Sequence, residues 1–242
     1  MAFIHGKATN VLHNNYDLSS YFNQAAVSRS VAPAETSTFG ASAKTYIVGL
    51  QDGTLSLSGL FDGAANAVDE EITAILGVNT GGIISIDPAG ASFIKGSRVI
   101  SLTGKLTSYQ ISAPVGDVVS ASADFQADEG IGNSISLRLW SAETASTNTA
   151  SHDSAASSAD GGFGTLHVTA NTMNNSSVFK VQHSSDNSVW VDLITFSTVA
   201  TVTLASQRTT VALGTTVNRY LRATSADSGT GSITYTINFA RR

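Results

Sequence analysis

Apolar positions in this chain recur mostly at every second residue, the period of a half-buried β-strand. In the stretch TYIVGLQDGTLSLSGLFDG, Thr45 to Gly63, Leu55, Leu57 and Phe61 face one way and Thr54, Ser56 and Ser58 the other. Tyr46 to Gly49 is an apolar run, and Asp52-Gly53 suits backbone of positive φ, so the stretch reads as a β-hairpin. Ile83 to Ile86 is almost wholly apolar, the mark of a strand buried on both faces. Ser97 to Leu106 alternates through Ile100, Leu102 and Leu106, and Ser108 to Ala113 shifts phase, which predicts a bulge or turn near Thr107. Val119, Ala121, Ala123 and Phe125 make one further alternating strand, and Ile135, Leu137 and Leu139 another.

One segment departs from this period. Ala65, Val68, Ile72, Ile75 and Leu76 recur at helical spacing, with Asn66 as N-cap, Asp69, Glu70 and Glu71 in the first turn and Gly77 as a stop. The spacing predicts a helix over about 66–76 that seals a sheet, its acidic cluster a solvated first turn rather than a metal site.

Two segments have little to bury. Ser30 to Lys44 (SVAPAETSTFGASAK) reads as a long polar loop carrying one exposed aromatic, Phe39. Ser141 to Gly162 (SAETASTNTASHDSAASSADGG) reads as a Ser/Ala/Thr-rich linker. They divide the chain into an N-terminal domain, 1–140, whose first 30 residues form an extended arm, the linker 141–162, and a C-terminal domain, 163–242. The last of these is β throughout, with short strands ending at Ile233, Tyr235, Ile237 and Phe239. Such spacing predicts a β-sandwich of jelly-roll or immunoglobulin-like kind.

Composition narrows the function more than the fold. Charged residues are 13% of the 242, about half the usual share, so the surface is mostly Ser, Thr, Asn and Gln. Either much of it meets other subunits, or this is a Ser/Thr-rich β protein of secreted type. A net charge of −5 with scattered cations argues against a nucleic-acid-binding surface. No cysteine is present, which rules out disulfides and thiolate metal sites. The N-terminus lacks the shape of a signal peptide and no run reaches transmembrane length, so a cytoplasmic origin is expected.

Catalytic constellations do not assemble. The histidines His5, His13, His152, His167 and His183 have no metal-helix spacing, and no G-x-S-x-G nucleophile elbow accompanies His152-Asp153. His167 and His183 would need to be neighbours to found a metal site; two separately satisfied strand histidines is the simpler reading. Asp160-Gly161-Gly162 and Asp227-Ser228-Gly229 lack the acidic density of calcium loops and read as turns. Trp140 and Trp190 read as core or subunit packing. The expectation is a non-enzyme without cofactor or metal.

The order of arm, polar loop, hairpin, single short helix and further strands carries a resemblance. DLSSYFNQAAVSRS (Asp17 to Ser30), AETSTFGASAKTYIVGLQDGTLSLSGLFDG (Ala34 to Gly63) and the helix Asn66 to Leu76 resemble the major tail tube proteins of long-tailed, siphovirus-like bacteriophages. The resemblance covers about the first half of the chain. It implies a mainly β fold, a tail-tube-type sandwich or barrel with one flanking helix, followed by the C-terminal sandwich as a decoration. It also implies a virion structural subunit made in the host bacterial cytoplasm. Six copies would close into rings that stack around a lumen conducting DNA during ejection. The implied partners are further copies of itself and the tape measure, tail terminator and distal tail proteins; DNA would pass without specific binding, and no membrane is involved. Carried over by position, Pro33, Glu35, Phe39 and Lys44 would contact the next ring, and Asp117, Asp124, Asp128 and Glu129 would face the lumen. VFKVQHSSDNSVWVDLITF also resembles galactose-binding-like jelly rolls. This leaves Trp190 and His183 as surface-binding candidates, and a carbohydrate- or surface-binding module or a capsid decoration or tail-end protein as alternatives.

Overall fold

The computed structural model describes residues 6–40, 42–90, 92–227 and 229–242; His5 and Ser228 lie outside the described residues. The strands are β1 (Asn10–His13), β2 (Tyr16–Asp17), β3 (Phe22–Val31), β4 (Ala34–Glu35), β5 (Tyr46–Ile47), β6 (Gln51–Leu60), β7 (Gly82–Asp87) and β8 (Arg98–Ser112). After them come β9 (Ser120–Glu143), β10 (His152–Asp153), β11 (Gly162–Asn171), β12 (Ser177–Ser184), β13 (Val191–Thr195), β14 (Ala205–Val211), β15 (Tyr220–Asp227) and β16 (Ile233–Arg241). The helix α1 (Val68–Thr73) lies between β6 and β7. The fold is therefore mainly β, as the alternation predicts.

The chain divides into two compact units. The first comprises Met1–Ser20, Gly82–Ser101 and Gly132–Arg242, the second Tyr21–Gly81 and Leu102–Ile131. These limits differ from a boundary at 140, because β8 and β9 are long enough to give one part of themselves to each unit. The phase change expected near Thr107 falls earlier, at Ser101-Leu102, where two consecutive residues are buried and β8 passes from one unit to the other.

In the first unit, β14, β11, β16 and the second part of β9 lie side by side. One face of this sheet supplies Leu137, Leu166, Val168, Tyr235, Ile237 and Phe239 to an apolar core shared with Phe179 and Val181 of β12 and Leu221 and Ala223 of β15. The opposite face is buried too, but its residues are small and polar: Ser134, Ser136, Thr165, His167, Thr236 and Asn238. Thr165, His167 and Asn238 meet Ser85 of β7, whose hydroxyl lies 3.2 Å from Ser101 Oγ and 3.4 Å from Thr165 Oγ1. Leu139, expected inward with Ile135 and Leu137, is exposed.

Residues 141–162 are tied down rather than free. Glu143 is buried, the Thr147 and Thr149 amides bond to Ser225 Oγ and the Ala223 carbonyl, and His152-Asp153 pairs with Tyr220-Leu221. Serine and threonine, which read as linker composition, here supply hydroxyls that satisfy strand edges.

In the second unit, the expected hairpin is absent. Asp52-Gly53 is not a turn; it opens β6, a central strand paired with β3 on one side and β9 on the other. The alternation itself is as predicted: Gly53, Leu55, Leu57 and Gly59 are buried, and Thr54, Ser56 and Ser58 face outward or partly so. A Cβ on Gly59 would lie 2.0 Å from the Tyr21 carbonyl oxygen, so only glycine lets β3 approach. Tyr46-Ile47 pairs instead with Ala34-Glu35. Helix α1 is shorter than the span 66–76, and its N-cap is Ala67, not Asn66. Asn66 adopts φ 60° and donates its backbone N–H to Glu70 Oε2 at 2.7 Å, so the side chain that caps is the glutamate four residues on. Val68 and Ile72 are the helix's buried face.

Candidate assembly surface

Strand β3, FNQAAVSRSV, is ten residues, six of them small or β-branched, with one charge. It pairs with β6 alone among the described residues, which leaves its other edge open. Alternation would normally bury every second residue. Here no residue of β3 is buried: Ala25 and Val31 are exposed and Val27 only half-buried. A long open strand uncovered on both faces is a template for pairing with another chain.

Next to it, β4 and β5 form a protruding finger. The Thr36 amide donates to the Thr45 carbonyl at 2.8 Å, the two threonine hydroxyls lie 3.1 Å apart, and Lys44 Nζ meets Glu35 Oε2 at 3.0 Å. Within the segment expected as a loop, the end of β3 and all of β4 are strand and the described residues between β4 and β5 carry none, with Pro33 at the base and Phe39 fully exposed. Val48 and Leu50, between the finger and β6, are 83% and 89% exposed. Glu35 and Lys44 satisfy one another, so the unpartnered character of the finger is apolar.

Across β3, β6 and β9 the ladder places Ala26 beside Ser56 and Ser56 beside Asp124. This outward face is built of small polar groups, with Ser56 Oγ donating to Asp124 at 2.6 Å. Asp128 pairs with Lys105 at 3.1 Å. Asp117 accepts its neighbour's amide, that of Val118, in the β8–β9 turn, and Glu129 is exposed with φ 57°. The four acids thus occupy four different settings on the second unit; Asp124 alone sits within the polar face.

In the first unit, Trp190 lies under the Arg222 guanidinium, 4.2 Å from its ring centroid, and Arg222 Nε donates to Gln182. His183 accepts the Asn218 amide at Nδ1, 3.1 Å away, and burial with the Arg241 charge holds its pKa below the usual range. Trp140 donates Nε1–H to Thr169 and packs edge-on against Phe93.

Sequence reasoning missed the pairing of His167 with His13. Both are fully buried. His167 Nδ1 lies 2.5 Å from the Asn14 carbonyl, which can only accept, so the proton sits on Nδ1 and Nε2 accepts from Ser85 Oγ at 2.8 Å. Burial pushes the His167 pKa down to about 4; burial and the neighbouring His167 do the same for His13. The available signal was the absence of any charge along β11, GFGTLHVTAN, which marks a strand covered on both faces. Among the described residues, no group of three or more His, Asp and Glu side chains is placed to hold a metal ion.

No protein-family model matches the chain, and no curated protein does. The solved structures to which it is similar include tail tube, hub and contractile injection system proteins. One is a protein of the tail of an empty gene transfer agent particle with C6 symmetry, at 11% identity over 54% of this chain and 98% of that one, TM-score 0.42. A second is the SPP1 tail tube protein, at 9% identity over 53% and 77%, TM-score 0.42. A third is the SPP1 Dit protein, described as a paradigm of the hub adsorption apparatus in phages infecting Gram-positive bacteria, at 13% identity over 96% and 98%, TM-score 0.38.

Proposed function

We propose that this chain is a structural subunit of a bacteriophage tail tube, in which six copies close into a ring and rings stack around a lumen that conducts DNA. The observation that carries the reading is the open, uncovered strand β3. Pairing it with a strand of the next copy would extend the sheet from subunit to subunit and remove the exposed edge. The finger, through Phe39 with Pro33 at its base, would reach the adjacent ring, and the Glu35–Lys44 pair would keep it extended. The Ser- and Thr-rich face with Asp124 would line the lumen, where uncharged small groups and an occasional carboxylate repel DNA rather than hold it. Asp117, Asp128 and Glu129 would flank that face. The subunit would sit in the virion tail after assembly in the host cytoplasm, with the tape measure, terminator and distal tail proteins as its partners. It would act without catalysis or cofactor.

The test is electron microscopy of purified, concentrated protein. Rings and tubes are expected, and Val27→Lys, which places a charge on the uncovered strand, should yield folded monomers. A wild-type protein that stays monomeric under all assembly conditions would refute the reading. The same edge would also serve a single ring at the tail end, and particle length separates the two: a tube subunit grows beyond one ring.

A further inference from the structure

The first unit opens a cleft of about 420 Å³ between the start of β8, the short strand β10 and the end of β16. That volume falls among small-molecule sites, which run from about 300 to 1,000 Å³. Its lining combines an apolar part, from Ile135, Leu221 and Phe239, with cations. Leu221 and Phe239 belong to the buried core, so the apolar part is firmly packed from behind.

The charges around the cleft are unequally committed. Asp153 is fully engaged: Arg219 grips it with two bonds of 2.7 Å, and the Ala155 amide donates to it at 2.8 Å. Arg241 spends its terminal nitrogens inside the fold, on Ser158 Oγ at 3.0 Å, the Val217 carbonyl at 2.7 Å and the Asn218 carbonyl. Its Nε–H makes no hydrogen bond but is buried, so Arg241 contributes mainly charge to the cleft. Lys95 caps the Ser151 carbonyl at 3.1 Å. Arg98, by contrast, is exposed at the mouth, and its side chain makes no hydrogen bond or ion pair within the described residues. The His152 ring likewise makes no hydrogen bond among the described residues; burial, Lys95 and Arg241 disfavour its protonation, and Asp153 opposes them. On a chain of net charge −5, this is a local excess of cations beside an apolar wall.

From this arrangement we infer that the cleft binds a small organic carboxylate: a singly charged headgroup on a compact apolar body. The guanidinium of Arg98 offers two parallel N–H donors that match a carboxylate fork. His152 supplies a further N–H from the side of β10. Arg241, fixed in place by its carbonyl acceptors, raises the potential without moving. The apolar body rests on Ile135, which is packed from behind by the core that includes Leu221 and Phe239. A doubly charged, strongly hydrated phosphate would match the donors but gain little from the apolar side.

The inference is tested by saturation-transfer NMR and calorimetry on the whole protein, assembled or not, with cyclohexanecarboxylate, benzoate and glycerol phosphate as probes. Saturable binding of both carboxylates in the millimolar range or tighter is expected, with glycerol phosphate weaker. Arg98→Gln should weaken carboxylate binding by about tenfold or more, the loss of one charge-assisted bidentate contact. His152→Gln should weaken it less. Lys180→Gln, which removes a cation paired with Asp192 away from the cleft, should leave it unchanged. Arg98 is exposed, so its variant should melt with the wild type, and that melt is the folding control. The inference fails if neither carboxylate saturates, if glycerol phosphate binds as tightly, or if Arg98→Gln binds like the wild type.

Discussion

Acid should unfold this protein through two side chains that never touch solvent. His13 and His167 are fully buried, and their pKa values are pushed down to about 4 from the ordinary 6.5. In the unfolded chain both imidazoles take up protons near the ordinary value. Folding must therefore exclude those protons, and the stability present above pH 6.5 is lost as the pH falls toward 4. Linkage makes the cost about 2 kcal/mol per histidine at about pH 5, hence roughly 4 kcal/mol for the pair. Against a total stability of about 5–15 kcal/mol that is a large share. Urea unfolding followed by the fluorescence of Trp140 and Trp190 reads the effect. The midpoint should drop steeply between about pH 7 and pH 5 with the slope m unchanged. His167→Asn keeps a donor where Nδ1–H meets the Asn14 carbonyl, and combined with His13→Gln it removes both titrating groups. The double variant should be less stable at neutral pH but much flatter with pH. The residual slope should come from His152 and His183, which are depressed in the same direction. A wild-type midpoint that does not move between pH 7 and pH 5 refutes the reasoning, as does a double variant with the wild-type slope.

Two further outcomes concern the first unit's interior. Glu143 accepts from Arg138 at 2.9 and 3.1 Å, from Tyr235 at 3.0 Å and from Ser225, all in buried surroundings. Glu143→Gln should cost about 3–5 kcal/mol by stranding the Arg138 charge, and Arg138→Met combined with Glu143→Leu should recover most of it; a thermal melt measures both. Gly162 begins β11, and a Cβ there would lie 2.2 Å from the Ala240 carbonyl oxygen. Gly162→Ala should therefore destabilise by about 1–3 kcal/mol, with early hydrogen exchange at the β11–β16 pairing as its signature.

The alternation of Leu55, Leu57 and the serines between them was legible because a two-residue period survives whatever the strand pairs with. Its partner was not. Asp52-Gly53 has turn chemistry, yet the pair lies inside β6, because Gly53 is needed where Ile131 and the Ser28 carbonyl crowd its Cα. A glycine read as a bend was a glycine required by close approach. Residues 141–162 show the converse: a composition with nothing apolar to bury can still be fixed by its hydroxyls. The polar interior around Ser85 and His167 was hidden because small polar residues on a strand look the same facing water or facing one another. The polar loop was legible from its composition, but the β4–β5 pairing at its base depends on threonine and ion-pair contacts between residues about nine apart, which composition does not reveal.

The position of β16 between β11 and β9 has a consequence for how the protein is made. Ile233 pairs with Glu143, about 90 positions earlier, so at about 5–20 residues per second the late part of β9 waits several seconds for its partner strand. During that interval Leu137 and the serines beside it present a bare edge inside the producing cell. Slowing translation across residues 144–232 would lengthen the exposure and divert chains into aggregates, whereas faster synthesis, or a chaperone that holds β9, would raise the yield of folded subunits without altering a single native contact.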